Sequence, residues 1–208
     1  MSDTNQDNVL KKHLALVIYA LTVIFFTTPA MAEGKFQKVS DPKALVLTFA
    51  TYTGNMNKGL LPKEYKDKTS VYKELVKNYI PTKLMANYSI GIDWQYLTEE
   101  ERANFIRLYD KEILGWLMDI SETVRFENQQ FIDIRPTSDE DIIVNTVALT
   151  EGVYYPIQWY TTLIKNNYYI QDIIVAEHSM YKMILEIPVI RDQLSVLKEA
   201  ALRRSRAK

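Results

Sequence analysis

The clearest hydrophobic pattern in the chain lies between Thr98 and Val124. Apolar residues recur there at three- and four-residue spacing, which is typical of an amphipathic α-helix. Thr98 and Glu101 have the spacing of a capping box, in which each side chain accepts a hydrogen bond from the other residue's amide. The segment predicts a long helix with one broad apolar stripe, formed by Phe105, Ile106, Tyr109, Ile113, Trp116, Leu117 and Ile120.

After Val124 the hydrophobic period changes to two residues, which is the period of a β-strand. Four strand-like runs follow, and short stretches of turn residues separate them. Connections this short join antiparallel neighbours, because a parallel pair needs a crossover of a dozen or more residues. The sequence therefore predicts an antiparallel meander of four strands, at 129–135, 142–150, 154–164 and 168–177.

Shorter helical patterns flank these two regions. Asp41 and Pro42 are the residue types of a helix N-cap and a first helical position, and Gly91 suits a helix end. Pro188 is predicted as a break between two closing helices. The fold class is α+β: helices, a four-stranded sheet, then closing helices, with the helices packed on one face of the sheet. The shorter helices are predicted at 41–55, about 70–80, 82–89, 179–186 and about 191–203.

The first 32 residues have the pattern of an export signal. Two lysines precede an uninterrupted apolar or neutral run at 14–26, and small residues follow at Ala30 and Ala32. That run is shorter than the roughly 20 residues of a membrane-spanning helix, and the small residues fit a peptidase cleavage site. We expect a cleavable signal peptide at 1–32 and a single domain at 33–208. An uncleaved membrane anchor is the alternative.

Composition excludes several kinds of chemistry. The chain has no cysteine, which rules out disulfides, thiolate metal sites and cysteine nucleophiles. A net charge of -1 argues against a nucleic-acid surface, because such binding needs clustered positive charge. Together with the export signal, the lack of cysteine favours a bacterial periplasmic location, with secretion as the alternative.

The polar residues do not form a recognisable catalytic or metal-binding set. A Ser-His-Asp triad would have to use His178, whose neighbours Glu177 and Ser179 point to the opposite face of a strand. The acidic run at 139–141 lacks the ligand spacing of a calcium loop. The run at 54–59 lacks the pattern of a phosphate-binding loop. We therefore expect a protein that is not an enzyme, with no catalytic residue and no metal ligand.

Aromatic and apolar side chains concentrate instead on the third and fourth predicted strands, for example at Tyr154-Tyr155 and Trp159-Tyr160. A sheet covered by helices on one face should leave its other face polar. Amphipathic rings next to flexible methionines suit either a packed core or a cavity for an apolar ligand. The residues alone leave both interpretations open.

Four segments, in order along the chain, resemble the MlaC family of periplasmic phospholipid-transfer proteins, also known as toluene-tolerance or ABC-transporter auxiliary components. The resemblance covers roughly residues 44–200. Tyr168 stands where the family usually has tryptophan, and Ala176-Glu177-His178 replaces Glu-Gly-Val. The matching residues are Leu84-Met85-Ala86 through Ile90-Gly91-Ile92-Asp93-Trp94; Glu101-Arg102, Phe105, Tyr109 and Ile113-Leu114; Pro156-Ile157-Gln158-Trp159; and Tyr168, Ile170, Asp172-Ile173, Val175 and Ser179.

The resemblance implies a carrier that moves a phospholipid across the periplasm and supports outer-membrane lipid asymmetry. Acyl chains would lie in an apolar pocket between sheet and helices, with no cofactor besides this cargo. Implied partners are an inner-membrane ABC transporter with an MCE-domain ring and an outer-membrane lipoprotein complex; no nucleic acid is expected. Resemblance and periodicity together predict the lipid-binding residues Phe105, Tyr109, Ile113, Trp116, Leu117, Tyr155, Ile157, Trp159, Ile173, Val175, Met180, Met183 and Ile184.

Two other functions are compatible with the same pattern. One is a cone-shaped NTF2-like periplasmic domain that binds another small molecule or acts as a small enzyme. The other is a membrane-tethered adaptor with a filled core and no ligand.

Overall fold

The computed structural model describes residues 36–61, 63, 65–124 and 129–207; the predicted signal peptide lies outside them. Among the helices of this part of the chain, none has the length and apolar character to cross a membrane. A 3-10 helix spans Gly91–Tyr96. The elements are helices α1 (Pro42–Asn57), α2 (Lys68–Tyr79), α3 (Thr82–Ile90) and α4 (Glu99–Thr123), strands β1 (Gln129–Pro136), β2 (Asp141–Thr150), β3 (Val153–Ile164), β4 (Asn167–Val175) and β5 (His178–Ser179), and helices α5 (Met180–Glu186) and α6 (Pro188–Arg206).

The predicted helix starts of α1 and α4 are confirmed. Asp41 accepts a hydrogen bond from the amide of Ala44 at 2.6 Å. In the capping box, the amide of Glu101 donates to Thr98 Oγ1 at 3.2 Å, and the amide of Thr98 donates to Glu101 Oε2 at 2.8 Å. These bonds satisfy amides that have no partner within the helix.

Two helix starts differ from the prediction. Helix α2 begins at Lys68, because Asp67 caps it by accepting a hydrogen bond from the amide of Ser70 at 2.7 Å. The predicted break between the closing helices is present, since α5 ends at Glu186, but α6 begins at Pro188 rather than at about 191, with the proline in its first turn. Proline is tolerated there because the amide it lacks would have no helical partner.

The sheet is antiparallel with five strands in the order β1-β2-β3-β4-β5, rather than four. The fourth strand ends at Val175, since Ala176 and Glu177 form a turn with φ of 46° and 72°. His178 and Ser179 then pair with the end of β4 as the short strand β5. The α+β class and the meander order are as predicted.

One face of the sheet packs against the helices. Val144, Trp159 and Ile173 lie opposite one another on β2, β3 and β4, and all three are fully buried. Trp159 donates from Nε1 to Thr146 Oγ1 at 2.9 Å. Its ring meets that of Phe49 on α1 edge to face, with centroids 5.6 Å apart. This contact joins the first helix to the centre of the sheet.

The opposite face carries a polar ladder across three strands. Asn145 donates from its amide to Asp133 on β1, and Gln158 on β3 donates to Asn145 Oδ1 at 3.3 Å. Arg135 also donates to the carboxylate of Asp133 at 3.0 Å. Successive residues of each strand point to opposite faces, so one face of the sheet packs against the helices and the other carries this polar row.

Candidate functional site

The structure brings most of the predicted lipid-binding residues together. They lie on α4, β3, β4 and α5, within one hydrophobic cluster, and none is more than 4% exposed. We call this set the sheet–helix core. Its members are Phe105, Tyr109, Ile113, Leu117, Ile157, Trp159, Ile173, Val175, Met180 and Ile184.

The other three predicted residues lie at the rim of this cluster. Trp116 and Tyr155 are partly buried and pack against it, whereas Met183 is 41% exposed. Trp116 donates from Nε1 to the sulfur of Met183 at 3.4 Å, so the two side chains connect α4 to α5. This contact marks the accessible seam between the two helices.

The sheet–helix core is filled in this conformation. A side chain that lined a cavity wide enough for water would keep accessible surface, yet most of the core residues have none. They therefore contact other protein atoms. An acyl chain could enter this region only by moving helices away from the sheet.

An open cavity of about 350 Å³ adjoins the core, where residues of β3 and β4 meet residues of α3 and α5. The sequence reasoning did not predict it. Only the paired aromatic residues of β3 gave a signal, and they did not show which ring faces the cavity. We call it the tyrosine cavity, and it is lined by Met85, Tyr88, Tyr160, Gln171, Asp172 and Tyr181.

Asp172 organises one wall of the tyrosine cavity. Its Oδ1 accepts hydrogen bonds from the amides of Ile173 and Tyr181, both at 2.9 Å, and its Oδ2 accepts one from Ser179 Oγ at 2.6 Å. Ser179 in turn caps α5 by accepting from the amide of Lys182 at 3.1 Å. Burial raises the pKa of Asp172 despite these bonds. The carboxylate thus holds α5 against β4.

A hydroxyl cluster connects the tyrosine cavity to the sheet–helix core. Ser89 Oγ lies 3.2 Å from the hydroxyl of Tyr109, a core residue, and 3.3 Å from that of Tyr181, a cavity residue. Burial raises the pKa of Tyr109 further above its ordinary value. The two regions therefore share a polar boundary only one side chain thick.

A second cavity, of about 450 Å³, lies among α2, α3 and α4 and is edged by Lys73, Lys77 and Lys111. Lys77 and Lys111 are 3.4 Å from Glu74 and Glu112, respectively. Their charges are therefore already balanced on the surface. Among the described residues, no cluster of three histidine or acidic side chains is placed to hold a metal ion.

Comparison with known proteins identifies the family. The family model described as "MlaC protein" matches residues 53–183, which is more than half of the chain. The chain belongs to the MlaC family. The MlaC match contains every residue of the tyrosine cavity and all of the sheet–helix core except Ile184.

A solved structure agrees with this assignment at the level of fold. It is the phospholipid-binding protein from Ralstonia solanacearum in complex with a phospholipid, with a TM-score of 0.56 and 14% identity. The likeness covers 79% of this MlaC chain and 99% of the other. No curated protein matches the chain. The predicted family resemblance is confirmed.

Proposed function

We propose that this chain is a periplasmic phospholipid carrier of an Mla-type transport system. Acyl chains would lie between the sheet and helices α4 and α5, and the protein would act by binding and release rather than by catalysis. The observation that carries this proposal is the MlaC match across the elements that enclose the sheet–helix core. Its proposed partners are an inner-membrane ABC transporter with an MCE-domain ring and an outer-membrane lipoprotein complex.

The hydrophobic effect sets how such a carrier must exchange its cargo. Each buried methylene is worth about 0.8 kcal/mol, so roughly 30 acyl methylenes are worth on the order of 24 kcal/mol relative to water. A lipid bound this way does not dissociate into water. Transfer must instead run between two apolar environments, where the free-energy difference is small. The direction then depends on the partner.

The filled core implies that lipid uptake changes the conformation. We place the route of the acyl chains at the seam between α4 and α5, where Trp116 and Met183 are the accessible members of the predicted pocket. Both side chains are apolar and suited to contact a lipid as it passes. Opening this seam would give the chains access to Ile113, Leu117 and Ile184 behind it.

Native mass spectrometry tests the carrier function. The chain should be expressed with its own N-terminus and recovered from the periplasmic fraction, and its bound lipids extracted and analysed. We expect a mass that begins at Glu33, with one diacyl phospholipid per chain. A lipid-free protein that also takes up no phospholipid from added vesicles would contradict the proposal.

Photo-crosslinking tests the proposed route. A benzophenone amino acid at Met183 should crosslink to the acyl chain of a loaded phospholipid. The matched control is Val196 on α6, which is also apolar and exposed. Equal crosslinking at both positions, or none at Met183 in a lipid-loaded protein, would place the route elsewhere.

A further inference from the structure

The tyrosine cavity combines aromatic rings with one acidic group. Three tyrosines reach it from different elements: Tyr88 from α3, Tyr160 from β3 and Tyr181 from α5. Met85 adds a polarisable thioether, and Asp172 adds a carboxylate. Aromatic rings around one acidic group form a different surface from the sheet–helix core, whose members include no acidic residue.

The strand register fixes the ring of Tyr160 next to this carboxylate. Tyr160 and Asp172 are directly opposite across β3 and β4, whereas the next pair is Thr161 with Ile170. Gln171 is therefore an extra residue, a β-bulge. Ile170 and Ile173 are both buried although they are three positions apart, so the bulge places Gln171 and Asp172 together at the cavity.

Asp172 carries a negative charge that no ion pair balances. Its three hydrogen bonds come from two amides and one hydroxyl, all of them neutral. None of the ion pairs between described residues includes it. Burial disfavours the ionised form and raises the pKa of this group, and neither these hydrogen bonds nor the nearby charge of Lys182 fully offsets that effect. A cation in the cavity would remove that penalty.

We propose that the tyrosine cavity binds an organic ammonium group, the cation of a phosphocholine or phosphoethanolamine head group. The faces of tyrosine rings attract cations, and aromatic cages of this kind recognise quaternary ammonium. The carboxylate of Asp172 supplies the opposite charge. A volume of about 350 Å³ suits a small ligand.

The cavity is correctly placed to receive the head group of a lipid held in the core. Ser89 joins Tyr181 in the cavity to Tyr109 in the core, so the two regions are separated by one hydroxyl cluster. The assignment to a lipid head group rests on the proposed function. The ammonium site itself does not, because a free amine such as choline has the same chemistry.

Titration with choline chloride tests the site directly, in the exported protein after detergent removal of bound lipid. NMR shifts of the tyrosine rings report binding. The neutral isostere 3,3-dimethylbutanol is the matched control, since it has the same shape without the charge. We expect choline to bind about tenfold tighter than the isostere. Equal affinities would overturn the proposal.

Substitutions identify which atoms bind the cation. Tyr160→Leu should weaken choline binding at least about fivefold, whereas Tyr160→Phe, which keeps the ring, should retain it. Tyr154→Leu, at an exposed position of the same strand, is the control. Asp172→Asn should abolish the preference for choline over the isostere. Asp172→Asn could also displace α5, which Asp172 holds, so the Tyr160 variants are an independent test. Loss of choline binding in Tyr160→Phe would contradict the role of the aromatic ring.

Lipid loading then distinguishes the two sources of ammonium. Vesicles of equal phosphatidylcholine and phosphatidylglycerol are offered to the wild type and to Tyr160→Leu. If the wild type loads phosphatidylcholine preferentially, and Tyr160→Leu loses this preference with total lipid loading unchanged, the site binds the head group. Choline binding without such a preference assigns it to a soluble amine. Choline binding without lipid loading refutes the carrier function alone, and lipid loading without choline binding refutes the ammonium site alone.

Discussion

Trp159 and Tyr160 are neighbours on β3, yet they belong to two regions with opposite physical character. Trp159 is fully buried in the sheet–helix core, fixed by the ring of Phe49 and by a hydrogen bond to Thr146. Tyr160 lines the open tyrosine cavity beside Asp172. Alternation along one strand thus separates a region that supplies stability from a region that is accessible to a ligand. The core must open to bind, whereas the cavity already has its shape.

The largest expected effect comes from substituting these two neighbours. Trp159→Ala should lower the free energy of unfolding by about 3–5 kcal/mol, because it leaves a cavity and removes the donor to Thr146. Tyr160→Ala should cost less than about 1 kcal/mol, since its ring already faces open space. Urea denaturation of both purified variants measures the difference. Equal costs would mean that the two regions are not distinct.

A smaller effect is expected at Ser179, which joins Asp172 of the tyrosine cavity to the start of α5. Ser179→Ala removes the cap of α5 and the hydroxyl bonded to Asp172, and should lower the free energy of unfolding by about 1–2 kcal/mol. Ser205→Ala on α6, where the hydroxyl bonds only to the exposed carbonyl of Leu202, is the control and should stay within about 0.5 kcal/mol. Similar losses in the free energy of unfolding at both serines would contradict the role of Ser179 in joining Asp172 to α5.

An ion pair outside both regions should affect stability in a pH-dependent way. Arg204 donates to both carboxylate oxygens of Glu101, at 2.7 and 2.8 Å, and these bonds with those from Thr98 lower the pKa of Glu101 to about 2. The pKa of a glutamate in the unfolded chain is about 4.3. The carboxylate therefore stabilises the fold fully above that pH, and the stabilisation is lost as the pH falls toward 2.

Glu101→Gln should lower the free energy of unfolding by about 1 kcal/mol at pH 7, a modest value because the ion pair is partly exposed to water. The difference from the wild type should shrink as the pH falls from 5 to 2. Glu199→Gln, whose pair with Arg203 is more exposed, should change stability by less than about 0.5 kcal/mol. Choline binding should be unchanged in both variants, and a weakened affinity would link this ion pair to the cavity.

The smallest predicted effect is a gain in stability. Glu177 has a φ of 72°, in the left-handed region that disfavours residues with a Cβ atom. Glu177→Gly should therefore raise the free energy of unfolding by up to about 1 kcal/mol. Glu177→Ala keeps the Cβ atom and should give no gain. If thermal melting shows the same stabilisation for both variants, the side-chain charge rather than the backbone is responsible.

The parts of the fold that the sequence predicted are those encoded by local chemistry. Helix α4 was predicted because Thr98 and Glu101 form a capping box and the apolar stripe has a single period. The meander was predicted because turn residues separate runs of period two. The family was recognised from motifs that pack the sheet, and the match at 53–183 confirms it. Each of these signals is a local motif or the period of a single element.

The parts that were missed depend on contacts between distant segments. Strand β5 requires Ala176 and Glu177 to adopt positive φ, which neither residue type favours by itself. The bulge at Gln171 depends on the partner strand β3. The filled state of the sheet–helix core depends on how side chains from four elements fit together. Ten of the predicted lipid-binding residues lie together in that core, while their contact with lipid remains a prediction.

The bulge at Gln171 also limits what a deletion in β4 would do. If Gln171 were absent, Ile170, Asp172 and Ile173 would alternate regularly, so every later residue of β4 would keep its present face. Removal of this one residue would therefore leave the buried positions of β4 on the core side. The wall of the cavity can be altered at this point without a change in the core.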